Sequence, residues 1–88
     1  MKRNDNIVLR NIGDTYILIP LVSGNISNRD MIILNETGCY IWEQLEEEYH
    51  LDELIVKVAT HFGVNLENVI DDVTLFVNNL ESLGLLKS

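Results

Sequence analysis

The sequence predicts an α+β domain of winged-helix-like architecture, three antiparallel N-terminal strands followed by three helices. Three observations carry this. Up to Leu34 the apolar runs are rich in β-branched and aromatic residues and are separated by turn residues. From Asn35 onward apolar residues recur three and four apart, the period of a helix with one buried face. And 88 residues at 47% hydrophobic content supply one small core, so residues 1–88 are expected to form a single domain, with 1–6 flexible.

The first strand is Ile7-Val8-Leu9-Arg10-Asn11-Ile12, ended by the turn pair Gly13-Asp14. The second is Thr15 to Val22, with Pro20 suited to a strand end or a sheet edge because it lacks an N–H. Ser23 to Asn28 reads as a loop. The third strand, Met31-Ile32-Ile33-Leu34, is apolar on both alternating faces, so one pair of side chains serves the core and the other needs a separate explanation.

Asn35 is placed to cap the first helix, expected over 36–48, with Cys39, Ile41, Trp42, Leu45 and Tyr49 on its apolar face. Glu36 lies at the favourable end of that helix dipole. The second helix, over 52–62, carries Leu51, Leu54, Ile55, Val58 and Phe62 and stops at Gly63. The third, over 66–83, carries Leu66, Val69, Ile70, Val73, Phe76, Val77, Leu80 and Leu83. Gly84 ends it, and Leu85-Leu86 are expected to fold back onto the core.

Charge divides the chain unevenly. Residues 1–34 hold four cations against three acids, +1, and residues 35–88 hold two against eleven, −9, together the net −8. Nucleic-acid affinity comes largely from lysine and arginine displacing counterions, so such a surface disfavours it. A winged-helix DNA reader is the competing class. Its recognition helix would be 65–83, which has no lysine or arginine and four acids, Glu67, Asp71, Asp72 and Glu81. The longest apolar run is far short of the ~20 residues needed to span a membrane. No apolar stretch follows Lys2-Arg3, so no secretory signal is read and the cytoplasm is the expected compartment.

No catalytic constellation is present. The glycines are single and scattered, with no phosphate-binding loop and no Gly-x-Ser-x-Gly. One cysteine with two histidines makes neither an internal disulfide nor a zinc finger. Cys39 sits on an apolar stripe among glutamates, where a thiolate is disfavoured. Asp71 and Asp72, adjacent on a helix, point apart. The expectation is a protein that is not an enzyme and uses no cofactor or metal. An acyl carrier protein fits poorly, because the first third is β-rich and no Asp-Ser-Leu triplet exists.

The stretch Leu34-Asn35-Glu36-Thr37-Gly38-Cys39-Tyr40-Ile41-Trp42 resembles the Leu-Asn-Glu-Thr-Gly-x-x-Ile-Trp signature of the PqqD-like proteins. The flanks agree over about residues 7–86: Tyr16-Ile17-Leu18-Ile19-Pro20, Leu51-Asp52-Glu53-Leu54, Asp71-Asp72-Val73, and Gly84-Leu85-Leu86. Where many relatives have a glycine before the third strand, this chain has Asn28-Arg29-Asp30. The resemblance implies a leader-peptide recognition element, which presents a ribosomally made precursor peptide to a modifying enzyme, commonly a radical S-adenosylmethionine enzyme. It implies that the leader adds as a strand to the third strand and packs against the third helix. A generic protein–protein adaptor is the remaining alternative.

The candidate peptide-binding residues follow. On the strand they are Arg29, Asp30, Met31, Ile32, Ile33 and Leu34, with Arg29 expected to attract an acidic leader. On the third helix they are Val69, Asp72, Val73, Leu75, Phe76 and Asn79. At 100° per residue Leu75 falls about 150° from the centre of the apolar stripe, on the side of Asp72 and Asn79. The signature itself is expected to be structural, with Asn35 capping, Ile41 and Trp42 in the core, and Gly38 permitting close packing. An open strand edge also permits a strand-exchanged homodimer.

Overall fold

The computed structural model describes residues 1–22, 25–26 and 32–87. β1 is Lys2–Arg3, β2 Ile7–Ile12, β3 Thr15–Val22, β4 Asn25–Ile26 and β5 Ile32–Leu34. Then come α1 (Glu36–Gln44), α2 (Leu51–Phe62), a 3₁₀ turn (Leu66–Asn68), α3 (Ile70–Ser82) and β6 (Leu86–Lys87).

β3 is the centre of the main sheet. β2 pairs antiparallel along one side of it, from Ile7↔Pro20 to Ile12↔Thr15, through a two-residue turn in which Gly13 has φ +62°. That conformation at the first turn residue suits the right-handed twist of a hairpin and favours glycine. On its other side β3 pairs with β4 and then β5, whose register is Tyr16↔Leu34, Ile17↔Ile33 and Leu18↔Ile32. Cross-strand partners share a face, so Leu18, Ile32, Tyr16 and Leu34 turn toward the helices while Ile17 and Ile33 turn away.

The helices cover the inner face. Trp42 and Ile41 from α1, Leu54 and Val58 from α2, and Val73, Val77 and Leu80 from α3 meet Leu18 and Leu34 in one core. The i, i+4, i+7 spacing of the α3 residues makes one buried stripe. Asn35 caps α1, its Oδ1 accepting from the Gly38 N–H at 2.7 Å. At the start of α2 the Glu53 carboxylate accepts from the His50 N–H at 2.9 Å, and Gly63 closes the helix in the left-handed conformation at φ +66°.

Three expectations are corrected. α1 ends at Gln44 rather than 48, because carboxylates at 46–48 would oppose the negative end of the helix dipole. Leu45 is still fully buried, and Tyr49 packs on the core from outside the helix. The third helix is not continuous from 66. A 3₁₀ turn leads to Val69 at φ −120°, and α3 starts at Ile70, with Asp71 and Asp72 in its first turn.

The apolar stripe of that segment is correspondingly shorter. Val73, Val77 and Leu80 are buried, Val69 and Phe76 partly so, and Leu66, Ile70 and Leu83 are exposed. The N-terminal residues make contacts with distant parts of the chain. Lys2 and Arg3 pair with Lys87 and Leu86. The Arg3 N–H donates to the Leu45 carbonyl, the Asn4 N–H to the Leu85 carbonyl, and the Met1 ammonium to the Tyr49 carbonyl.

Candidate functional site

β5 is short and lies at a sheet margin. One of its edges is paired with β3, and among the described residues no strand pairs with the other. An unpaired edge presents backbone N–H and C=O groups to whatever extended chain approaches it. Beside the end of this strand two open cavities meet. One, of about 500 Å³, is lined by Asp14, Thr15, Ile33, Leu34, Asn35 and Phe76. The other, of about 380 Å³, lies between the N-terminal turn of α1 and one face of α3, from Val69 through Asp72, Leu75 and Phe76 to Asn79. Asn35 and Phe76 line both, so the two adjoin; together they are termed the groove beside β5 and α3.

Local sequence explains the groove face of α3. Asp72, Leu75, Phe76 and Asn79 recur at i, i+3, i+4 and i+7, a second stripe rotated from the buried one. Leu75 is 61% exposed and Phe76 partly buried. Phe76 packs against the first turn of α1. A Cβ on residue 38 would lie 3.3 Å from Phe76 Cε1 and 3.2 Å from Asn35 Oδ1. Gly38 therefore lets α1 and α3 approach closely enough for this ring to line both cavities.

All six helix candidates, Val69, Asp72, Val73, Leu75, Phe76 and Asn79, line the same cavity. Val73 is only 1% exposed, so its side chain belongs to the core and forms the floor at most. Leu34 is 4% exposed and Ile32 packs against the core, so these two serve the core and offer the edge only their backbone. Ile33 is 74% exposed. Arg29, Asp30 and Met31 lie outside the described residues.

The sequence reading missed Asp14, Thr15 and Thr37. The pairing of Tyr16 with Leu34 carries the tip of the β2–β3 hairpin alongside Asn35. That register follows from long-range packing, and no local pattern announces it.

Cys39 lies on another side of α1, lining a separate depression with Tyr40 and Glu43. Burial raises its thiol pKa, and the neighbouring Glu43 carboxylate, 3.6 Å from Sγ, raises it further. That is the environment of an inert structural cysteine. Among the described residues no three His, Cys, Asp or Glu side chains are grouped to hold a metal ion. No described helix is long and apolar enough to cross a membrane.

Comparison with known proteins bears on this arrangement. A solved structure of TbiB1 in complex with the TbiA(beta) leader peptide superposes with a TM-score of 0.73 at 27% sequence identity, covering 100% of this chain and 96% of that one. No curated protein sequence matches the chain. The family model for coenzyme PQQ synthesis protein D (PqqD) matches residues 16–86, and with the α1 signature, the caps and the three-helix core all in place over that span, the chain belongs to the PqqD family.

Proposed function

We propose that this protein is a non-catalytic peptide chaperone that binds the leader segment of a ribosomally synthesised precursor and presents it to a modifying enzyme. The observation that carries this is the edge of β5 that no strand pairs among the described residues, lying beside an apolar-walled groove on α3. The likeness to a structure holding a leader peptide supports it. Backbone pairing with a strand edge supplies affinity for many sequences, and pockets beside the edge supply selectivity. From Val69 to Asn79 the helix-side wall runs ten residue steps, about 15 Å at the helical rise. An extended peptide covers that distance in about five residues.

Among the described residues the groove lining carries two exposed carboxylates, Asp14 and Asp72, and no His, Cys, Ser or Lys. Binding rather than reaction is what its residues support. The modifying enzyme is, on the family resemblance, a radical S-adenosylmethionine enzyme, and the cytoplasm is where both would be met. The same open edge would serve a strand-exchanged homodimer in the absence of peptide.

The test is an amide-shift titration of the labelled protein. The ligands are leader segments of short precursor-like reading frames encoded beside its gene, with the TbiA(beta) leader as a reference peptide. The expected perturbations fall on 32–34 and on the 69–79 face of α3. Shifts clustered on α2 would place the site elsewhere. Sedimentation of the free and peptide-bound protein separates the dimer from the monomer.

A further inference from the structure

We propose that the segment recognised by this groove is a basic one: an apolar side chain seated on Phe76 and Leu75, with lysine or arginine flanking it. This rests on the leader-binding reading above and names the class of leader. Among the described residues that line the two adjoining cavities, the only charged ones are Asp14 and Asp72. Asp14, at the hairpin tip, lines one cavity and Asp72, in the first turn of α3, lines the other, and Phe76 lines both. Both are exposed, and among the described residues neither takes part in an ion pair; those pairs are Lys87–Asp5 and the Met1 ammonium–Glu48.

The remaining polar lining is neutral, from Thr15, Asn35, Thr37 and Asn79. The N-terminus of α1 also borders the groove, and its dipole favours an anion. That preference is offset locally, because Asn35 Oδ1 already takes the Gly38 N–H and Glu36 lies in the first turn. Arg29, expected to draw in an acidic leader, is followed directly by Asp30, so the two cancel in formal charge. An acidic segment would enter against Asp14 and Asp72 and against the −9 balance of residues 35–88. A basic segment is steered in by the same field.

The experiment selects a displayed random-peptide library on the full chain and on a D14K/D72K variant. D14N/D72N serves as the conservative control, and amide shifts of each enriched peptide are mapped on the wild type. On the wild type, peptides rich in lysine or arginine around an apolar residue are expected, shifting Ile33, Phe76 and Leu75. Their binding is expected to weaken about tenfold on raising salt well above physiological strength, since these charges are solvent-exposed. D14K/D72K is expected to enrich acidic peptides in their place, and D14N/D72N to lose the charge preference. Acidic or charge-indifferent peptides shifting those same residues would overturn this proposal and leave the groove standing. No enrichment, or shifts confined to other surfaces, would overturn both.

Discussion

Gly38 and Phe76 pack so closely that a Cβ on residue 38 would sit 3.3 Å from the Phe76 ring, which would have to give by a few tenths of an ångström to admit it. The other close atom, Asn35 Oδ1, is held in place by the 2.7 Å bond it accepts from the Gly38 N–H. The ring is the one of the two that yields. Gly38→Val is expected to lower stability by about 1–3 kcal/mol through overpacking. It should also displace Phe76, which is read in the urea midpoint and in the Phe76 ring-proton shifts. A stability equal to wild type with unmoved ring shifts would show that the contact imposes no constraint.

Leu75 projects from α3 into the groove without entering the core. Leu75→Glu is expected to leave the urea midpoint within about 0.5 kcal/mol of wild type, as is usual for an exposed site. Leader affinity is expected to fall about tenfold or more, because the substitution places a charge on an apolar wall. Calorimetric titration and urea unfolding of the same preparation separate the two effects. Undiminished affinity would remove Leu75 from the site.

Asp5 and Lys87 join the two ends of the chain through a 2.8 Å bond beside the β1–β6 pair. The ammonium, first as hydrogen-bond donor and then as a charge, lowers the pKa of the Asp5 carboxyl. A carboxyl whose folded pKa is depressed contributes stability above its unfolded pKa, about 3.9 for aspartate, and loses it as pH falls through the folded value. Lys87→Met is expected to return Asp5 to the ordinary carboxylate range in a carbon-detected NMR titration. The wild-type and variant stabilities should converge at pH values below the folded pKa. An Asp5 titration unchanged by the substitution would contradict the pairing.

Duplex DNA is not an expected ligand. The face of α3 that borders the groove presents Asp72 and Asn79 with no cation on the helix, and residues 35–88 sum to −9. Phosphate contacts supply most of the affinity of DNA-binding domains and require lysine or arginine. A mobility-shift assay at physiological salt is expected to show no complex tighter than about 10⁻⁶ M, the upper end of ordinary non-specific binding. A sequence-specific shift below that concentration would overturn the expectation.

Much of this protein is written in short-range pattern. The change of period at Asn35, the Gly13-Asp14 turn, the Asn35 cap and the Gly63 stop each concern a few neighbouring residues. Their physics is local: backbone conformations that glycine favours, helix-end groups that a nearby side chain satisfies, and apolar periodicity matching one buried face. The exposed α3 stripe of Asp72, Leu75 and Asn79 was legible for the same reason, as a helical angle measured from the core residues. What tertiary structure alone decided is everything set by distant parts of the chain meeting. The Tyr16↔Leu34 register carries Asp14 to the groove, and the β1–β6 pairing brings the two ends of the chain together. The break at Val69 belongs here too, because Leu66 and Ile70 share the helical period of the core stripe and yet find no packing partner that would bury them. Periodicity records which residues are apolar; which of them are buried, and what lies across from them, depends on contacts between segments far apart in the chain.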